Sequence, residues 1–170
     1  MMRKWFVLVI VIATALGAAG VAAASDFTAT LQVRSSAGKA RGVETDTENI
    51  SSRLARRPVL HVKVGQRLCA TWKVTCTAKQ KITNMLVHFY VAGEKAAGQR
   101  EAPDLSKPNV AVEGALTMDF DPKDQASATI PFALDTPGAY RVQVETLDQG
   151  PNHEPEHAAT LDIVVEGGES

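Results

Sequence analysis

The stretch Leu68-Cys69-Ala70-Thr71-Trp72-Lys73-Val74-Thr75-Cys76 decides the fold, because its side chains fall into two alternating sets. Leu68, Ala70, Trp72, Val74 and Cys76 share one parity, and Cys69, Thr71, Lys73 and Thr75 share the other. A period of two predicts a β-strand with one buried face and one outward face. The chain keeps this period from residue 58 onward, so the neighbouring segments are interpreted in the same way.

The two cysteines of this stretch, Cys69 and Cys76, have different parity. On a continuous strand they would face opposite ways and lie roughly 23 Å apart, whereas a disulfide needs Cα atoms closer than about 7 Å. We therefore expect no disulfide between them, with Cys76 a buried thiol and Cys69 directed outward. A bulge or a hairpin inside the stretch would make the pairing feasible again.

Further strand patterns lie on both sides of this stretch. A short one covers residues 27–33, and the others cover residues 59–64, 85–91, 115–120, 126–134, 139–147 and 158–165. Gly, Pro or Asp bounds most of them, and no helical period follows residue 57. Seven strands between residues 58 and 166 predict an all-β, immunoglobulin-like Greek-key β-sandwich.

Two aromatic residues favour a sandwich over a barrel. Tyr140 follows Asp135-Thr136-Pro137-Gly138-Ala139, which is typical of a tyrosine corner, where a Tyr hydroxyl bonds to backbone upstream. Trp72 lies in the second strand of the sandwich, where such folds often carry a core aromatic residue. Both are predicted to be structural residues.

These features together resemble a known family. The runs Val64-Gly65-Gln66, Trp72-Lys73-Val74, Leu86-Val87-His88-Phe89-Tyr90-Val91 and Gly138-Ala139-Tyr140-Arg141-Val142-Gln143-Val144 resemble secreted bacterial immunoglobulin-like domains of the cell-adhesion-related, CARDB-like kind. The resemblance covers roughly residues 58–166. It implies a fold and a role at a surface, and it implies no catalytic residues.

The N-terminus predicts export. Arg3 and Lys4 precede an apolar run from Trp5 to about Val21, and small residues follow before Ser25. These are the parts of a secretory signal peptide, residues 1–24, although an uncleaved membrane anchor is the alternative. We expect a secreted or periplasmic protein with no stable membrane insertion after cleavage. Residues 25–57 are interpreted as a short strand plus a flexible polar and basic linker, and residues 167–170 as a disordered tail.

Charge is unevenly distributed. The whole chain has 18 basic and 19 acidic residues, yet residues 34–57 contain Arg34, Lys39, Arg41, Arg53, Arg56 and Arg57 against three acids. The remainder is acidic and would repel phosphate backbones, so we expect no nucleic-acid partner. The basic stretch is interpreted as a solvated linker, with a contact to anionic lipid or polysaccharide as the alternative.

One cluster of residues suggests a metal site. His153, Glu154, Glu156 and His157 lie within five residues between the last two strands, and with His88 they could bind copper or zinc. A polar loop is the simpler interpretation, and no other cofactor is expected. His88 itself is predicted to be a buried or half-buried histidine with a backbone partner, and His61 to face water.

A second cluster suggests calcium. Asp119, Asp121 and Asp124 alternate at a strand end, as carboxylates do in some extracellular calcium sites. The simpler interpretation is an Asp-Pro turn that ends the strand.

No catalytic motif accompanies these clusters, since the chain lacks a phosphate loop, a nucleophile elbow and a paired-cysteine motif. We therefore expect a binding or structural module, not an enzyme. Its partner would be a protein or a cell-surface component, contacted through the loops at residues 92–110 and 149–157. The alternatives are a periplasmic metal-binding protein and an accessory domain of a separate secreted enzyme.

Overall fold

The computed structural model describes residues 26–36, 38–46, 57–147 and 155–167, and all regular structure there is β. The strands are β1 (Phe27–Ser35), β2 (Lys39–Arg41), β3 (Val43–Asp46), β4 (Val59–Lys63), β5 (Leu68–Cys76), β6 (Ile82–Glu94), β7 (Val110–Phe120), β8 (Gln125–Phe132), β9 (Gly138–Leu147) and β10 (Pro155–Glu166). No helix in these ranges is long and apolar enough to span a membrane. The predicted signal peptide lies outside the described residues.

The strands form two sheets. The four-stranded sheet has the order β2-β1-β5-β8, and the six-stranded sheet has the order β3-β10-β9-β6-β7. The sixth strand, β4, runs parallel to the second half of β10, while β3 runs antiparallel to its first half. Successive strands thus cross between two facing sheets, as in immunoglobulin-like Greek-key sandwiches. The predicted fold class is confirmed, and seven of the strands lie between residues 58 and 166.

The core lies between the two sheets and follows the alternation of the sequence. In β5 the residues at the parity of Leu68 are buried and those between them are half-buried or exposed. The same alternation in β1 buries Phe27, whose ring meets Phe120 at an angle of 79° with the centroids 5.2 Å apart. Edge-to-face pairs of this kind stabilise a core beyond the area that they bury. Trp72 is buried in this core, as predicted.

The cysteines occupy the predicted faces of β5, which is continuous. Cys76 is buried in the core, and Cys69 is half-buried on the outward face. Both thiols are free. The pairing with β1 runs through both positions, from Arg34 opposite Cys69 to Phe27 opposite Cys76, so the strand has no bulge that would bring the thiols together.

The N-terminal segment corrects one prediction. The short strand expected within residues 25–57 is present as β1, but it pairs with β5 along its whole length and contributes to the core instead of preceding the domain. Residues 47–56 of the expected linker lie outside the described residues. Residues 39–41 and 43–46 are strands as well, each hydrogen-bonded to a sheet. Backbone pairing at a sheet edge does not require large apolar side chains, and for that reason composition alone missed them.

Gly42 makes the change of sheet possible. β2 belongs to the four-stranded sheet and β3 to the six-stranded sheet, with only Gly42 between them. Its amide donates to the carbonyl of Leu31 at 2.8 Å. A Cβ atom here would lie 3.1 Å from Leu31 Cβ and 3.1 Å from the backbone of Thr160. Glycine is therefore the residue that fits where the chain crosses between β1 and β10.

The predicted tyrosine corner is present. Tyr140 lies near the start of β9, and its hydroxyl donates to the carbonyl of Thr136 at 2.9 Å. The bond links β9 to the connection that arrives from β8. Gly138, which lies between Thr136 and Tyr140, has a φ of 150°, a backbone conformation that favours glycine at this bend.

Replacing Tyr140 by Phe tests this corner. Tyr140→Phe removes the hydroxyl but keeps the ring, so the free energy of unfolding should fall by about 1 kcal/mol, the net value of one hydrogen bond. Urea unfolding measures the change. Thr136→Ala is the matched control, because it keeps the accepting carbonyl and should leave the midpoint unchanged. An unchanged midpoint for Tyr140→Phe would show that the bond does not stabilise the corner.

Candidate functional site

The centre of the outer face of the six-stranded sheet is polar and yet buried. An outer sheet face usually meets water and carries exposed side chains, as the edge strand β7 does here at Glu113 and Ala115. Eight side chains on or against the centre of this face are instead at most 8% exposed, and they include both signs of charge: Arg57, His88, Tyr90, Arg141, Gln143, Glu145, Thr160 and Asp162. Burying a charged side chain is costly unless it is paired, so each of these charged residues is expected to have a partner of opposite charge.

Four charged side chains, Arg57, Glu94, Arg141 and Asp162, form a connected network, called here the ion-pair network. Arg57 Nε lies 2.5 Å from Asp162 Oδ1, and Arg57 Nη2 lies 3.0 Å from Glu94 Oε2. Glu94 also pairs with Arg141 Nε. The side chains of Arg57, Glu94 and Asp162 are fully buried. Burial raises the pKa of the Glu94 carboxyl, and the two guanidinium groups oppose that rise.

The ion-pair network also holds the β6–β7 loop, residues 95–109. Asp162 Oδ2 accepts the amide of Gly98 at 2.6 Å. The carbonyl of Gln99 accepts from both arginines, from Arg57 Nη1 at 3.0 Å and from Arg141 Nη2 at 2.6 Å. Arg141 Nη2 further donates to the carbonyl of Glu101 at 2.9 Å. The first half of the loop is therefore fixed to the sheet by charged groups.

The loop forms one wall of an open groove at the end of the sandwich. The groove has a volume of about 950 Å³, and its other wall is the β8–β9 connection, residues 133–137. Carboxylates of Glu101, Asp104 and Asp135 line it, with Tyr140 as its aromatic residue. Asp104 accepts from the amide and the hydroxyl of Ser106, both at 2.8 Å, which holds the far half of the loop in shape.

His88 lies on the same outer face and is held by two glutamates. Its Nδ1 is 3.0 Å from Glu145 Oε1, and its Nε2 is 3.0 Å from Glu113 Oε1. Glu145 also accepts from Gln143 Nε2 at 2.5 Å. The hydrogen bond to Glu145 raises the pKa of His88, burial opposes the rise, and Glu113 adds to it. The predicted burial of His88 is confirmed, but its partners are carboxylates and not backbone groups.

Of the predicted metal ligands that the structure describes, His157 and His88 lie on opposite sides of the six-stranded sheet. His153 and Glu154 lie outside the described residues, and Glu156 and His157 belong to β10 instead of a loop. His157 is opposite Thr146, which is in turn opposite Val87, so these three share the core side of the sheet. His88 lies on the outer side. Within the described ranges no three His, Cys, Asp or Glu residues are grouped to hold a metal ion.

Two of the predicted calcium ligands, Asp119 and Asp124, accept hydrogen bonds from protein groups. Asp119 accepts the amide of Asn84 at 3.0 Å and pairs with Lys81 at 3.0 Å. Asp124 accepts the amide of Asp121 at 2.9 Å, which closes the turn between β7 and β8. This is the Asp-Pro turn that was the simpler interpretation. His61 is exposed, as predicted, with its Nδ1 3.1 Å from Glu166.

Sequence reasoning missed the ion-pair network. Arg57 was assigned to the linker, and Glu94, Arg141 and Asp162 were not singled out. The pairing of Arg57 with Asp162 joins residues 105 positions apart, which no local pattern reveals. One signal was present: Arg141, Gln143 and Glu145 alternate with valines in one strand, where charged residues that become buried are expected to need partners.

Comparisons with known proteins give a likeness of fold. No protein-family model matches the chain, and no curated protein matches it. Similar solved structures include the CARDB domain of a Pyrococcus furiosus protein, in a solution NMR structure (12% identity, TM-score 0.41, 84% of this chain and 97% of that chain). They also include a crystal structure of that domain with di-metal ions (12% identity, TM-score 0.41, 85% and 97%) and the C-terminal domain of wzt (7% identity, TM-score 0.44, 82% and 72%). CARDB domains, which the sequence resembles, are thus among the structural neighbours, and likeness at this level transfers no ligand or site.

The raised pKa of His88 predicts a pH dependence of stability. Because the folded-state pKa lies above the ordinary value of 6.5, the protonated ring stabilises the fold fully below pH 6.5, and this contribution is lost as the pH rises through the folded-state pKa. His88→Gln should lower the unfolding free energy by roughly 1.5–3 kcal/mol near pH 6 and by less at alkaline pH.

Urea unfolding between about pH 5.5 and 8.5 measures this difference. His61→Gln is the matched control, since His61 is exposed and should leave the pH profile unchanged. If His88→Gln and the unmodified protein had parallel pH profiles, the charged His88 contact would not contribute to stability.

Proposed function

We propose that this chain is an exported, non-catalytic immunoglobulin-like module that binds a partner protein in the periplasm or at the cell surface. The observation that carries the proposal is the groove between the β6–β7 loop and the β8–β9 connection. Loops at the end of a rigid sandwich are the usual place for binding. Residues of the loop at 92–110, which the sequence predicts to be a contact site, form one wall of this groove.

The character of the groove favours a chain segment over a small molecule. Pockets for small ligands are mainly apolar and enclose most of the ligand. This groove is open, and carboxylates of Glu101, Asp104 and Asp135 line it against one lysine, Lys95. A partner segment with basic side chains and free backbone amides would complement this lining. The ion-pair network fixes the wall of the groove that the β6–β7 loop forms, so this loop needs little further ordering when a partner binds.

The metal-binding alternative has less support. Its ligands would include His157 and His88, which lie on opposite sides of the six-stranded sheet. The two carboxylates beside His88 bind different ring nitrogens and do not converge on one point.

The proposal that the chain is exported rests on the N-terminal pattern of residues 1–24.

Filling the groove tests the proposal. Ala111 is exposed, lies on β7 and lines the groove, so Ala111→Trp should block a bound segment and reduce capture of the partner roughly tenfold. The matched control is Ala115→Trp, on the same face of the same strand but outside the groove lining. Each variant is expressed from the full sequence with a C-terminal tag, crosslinked in cells and recovered from the periplasmic fraction.

A protein whose crosslinking is lost in Ala111→Trp and retained in Ala115→Trp is the predicted result. Equal crosslinking in both variants would show that the groove is not the binding site. Recovery of the tagged chain only from the cytoplasm would contradict export.

A further inference from the structure

The outer face of the four-stranded sheet carries basic residues, whereas the groove is lined mainly by carboxylates. It consists of the outward positions of β1, β2, β5 and β8, and it is called here the basic face: Thr28, Thr30, Gln32, Arg34, Lys39, Arg41, Cys69, Thr71, Lys73, Thr75, Gln125, Ser127, Thr129 and Pro131. All of these residues are exposed or half-buried. The face therefore meets solvent across all four strands.

The charges on the basic face have one sign. Arg34, Lys39, Arg41 and Lys73 are its charged residues, and no outward position of these four strands is Asp or Glu. The whole chain has nearly equal numbers of acidic and basic residues. The excess of basic residues on this face therefore does not follow from the overall composition. The first acid beyond this end of the face is Asp26, which precedes β1 and is four residues, about 13 Å, from Thr30.

The cations occupy three successive rows across the strands. Arg34 is opposite Lys39, Gln32 is opposite Arg41, and Thr30 is opposite Lys73. Like charges directly opposite each other destabilise a sheet, so the Arg34–Lys39 row gains when an anion lies over it. Gln32 Oε1 accepts from Arg34 Nε at 3.1 Å and Nη2 at 3.0 Å, and this contact fixes the guanidinium group.

Hydroxyl groups fill the space between the cations. Thr71 Oγ1 lies 3.4 Å from Thr129 Oγ1, and Thr30 Oγ1 donates to the carbonyl of Lys73 at 3.5 Å. Within the part of the chain that the structure describes, the large apolar residues that are exposed are Val59, Val64, Leu105 and Leu116, and none lies on this face. Surfaces that bind bilayers usually combine basic residues with apolar or aromatic anchors. A polar face with cations and no exposed large apolar side chain instead suits a polymer rich in hydroxyl and carboxylate groups.

We propose that the basic face binds an acidic polysaccharide, a polymer of sugars that carry carboxylates. Arg34, Lys39, Arg41 and Lys73 would pair with the carboxylates, and the Thr and Ser hydroxyls would hydrogen-bond to the sugar hydroxyls. This surface belongs to the sheet opposite the ion-pair network and is distinct from the groove. The inference therefore goes beyond the proposed partner protein and does not depend on it.

The test uses sodium alginate, a polyuronate, as the probe and the protein produced from the full sequence. Lys39→Glu/Arg41→Glu reverses two charges on the short strand β2, where neither side chain makes an ion pair described by the structure. Lys79→Glu/Arg100→Glu is the matched control, with the same change in net charge at exposed positions away from the face. Binding is measured by calorimetry at low salt, with neutral dextran as a second probe.

We expect alginate to bind, Lys39→Glu/Arg41→Glu to weaken binding at least tenfold, and the control to weaken it less than threefold. Dextran should not bind measurably. Lys73→Gln, a milder change in the centre of the sheet, should weaken binding about threefold and provides a second variant if the first loses its fold. Ala111→Trp should leave alginate binding unchanged, which separates this proposal from the groove.

Three results would overturn the proposal. In the first, alginate fails to bind. In the second, the two double variants weaken alginate binding equally, which would show that binding depends only on the net charge of the protein. In the third, phosphatidylglycerol vesicles bind with the same dependence on Lys39 and Arg41 while alginate does not, and the face is then a membrane-binding surface.

Discussion

The ion-pair network of Arg57, Glu94, Arg141 and Asp162 is the constraint on which the functional end of the molecule depends. A buried network of this kind adds little net stability, because the cost of removing charges from water offsets their attraction, whereas loss of one member leaves an uncompensated charge that costs about 3–5 kcal/mol. Its main effect is geometric. Arg57 precedes β4, Glu94 ends β6, Arg141 lies in β9 and Asp162 in β10, so the network joins three strands and the segment before β4.

The charged side chains of the ion-pair network also hold the β6–β7 loop in place. Residues 95–109 contain no strand, yet the amide of Gly98 and the carbonyls of Gln99 and Glu101 all bond to the ion-pair network. A loop held in this way presents a preformed wall to the groove, which reduces the entropy lost on binding. The tyrosine corner does the same for the opposite wall through Tyr140 and Thr136. A long-range network and a local hydrogen bond thus shape the two walls of one site.

The alternation of apolar residues predicted the strands, the parity of Cys69 and Cys76, and the role of Trp72, because these depend on which face of a strand meets the core. It could not predict that the outer face of β9 is buried as well. That burial depends on Arg57 and on the β6–β7 loop, which reach β9 only through tertiary folding. His88 shows the same limit: its burial followed from its neighbours, but its partners Glu145 and Glu113 come from other strands. The expected grouping of His157 with His88 was wrong because β10 begins earlier than expected and places His157 on the core side.

The central claim is that buried charges fix the β6–β7 loop to the sheet, and the amide of Gly98 reports on it directly. Hydrogen exchange followed by NMR should show this amide protected roughly a hundredfold relative to an unbonded loop amide, because exchange requires the bond to Asp162 to open. Asp162→Asn keeps an acceptor but removes the charge and should lose most of the protection. Exchange of the Gly98 amide at the rate of an unprotected peptide in the unmodified protein would contradict the account.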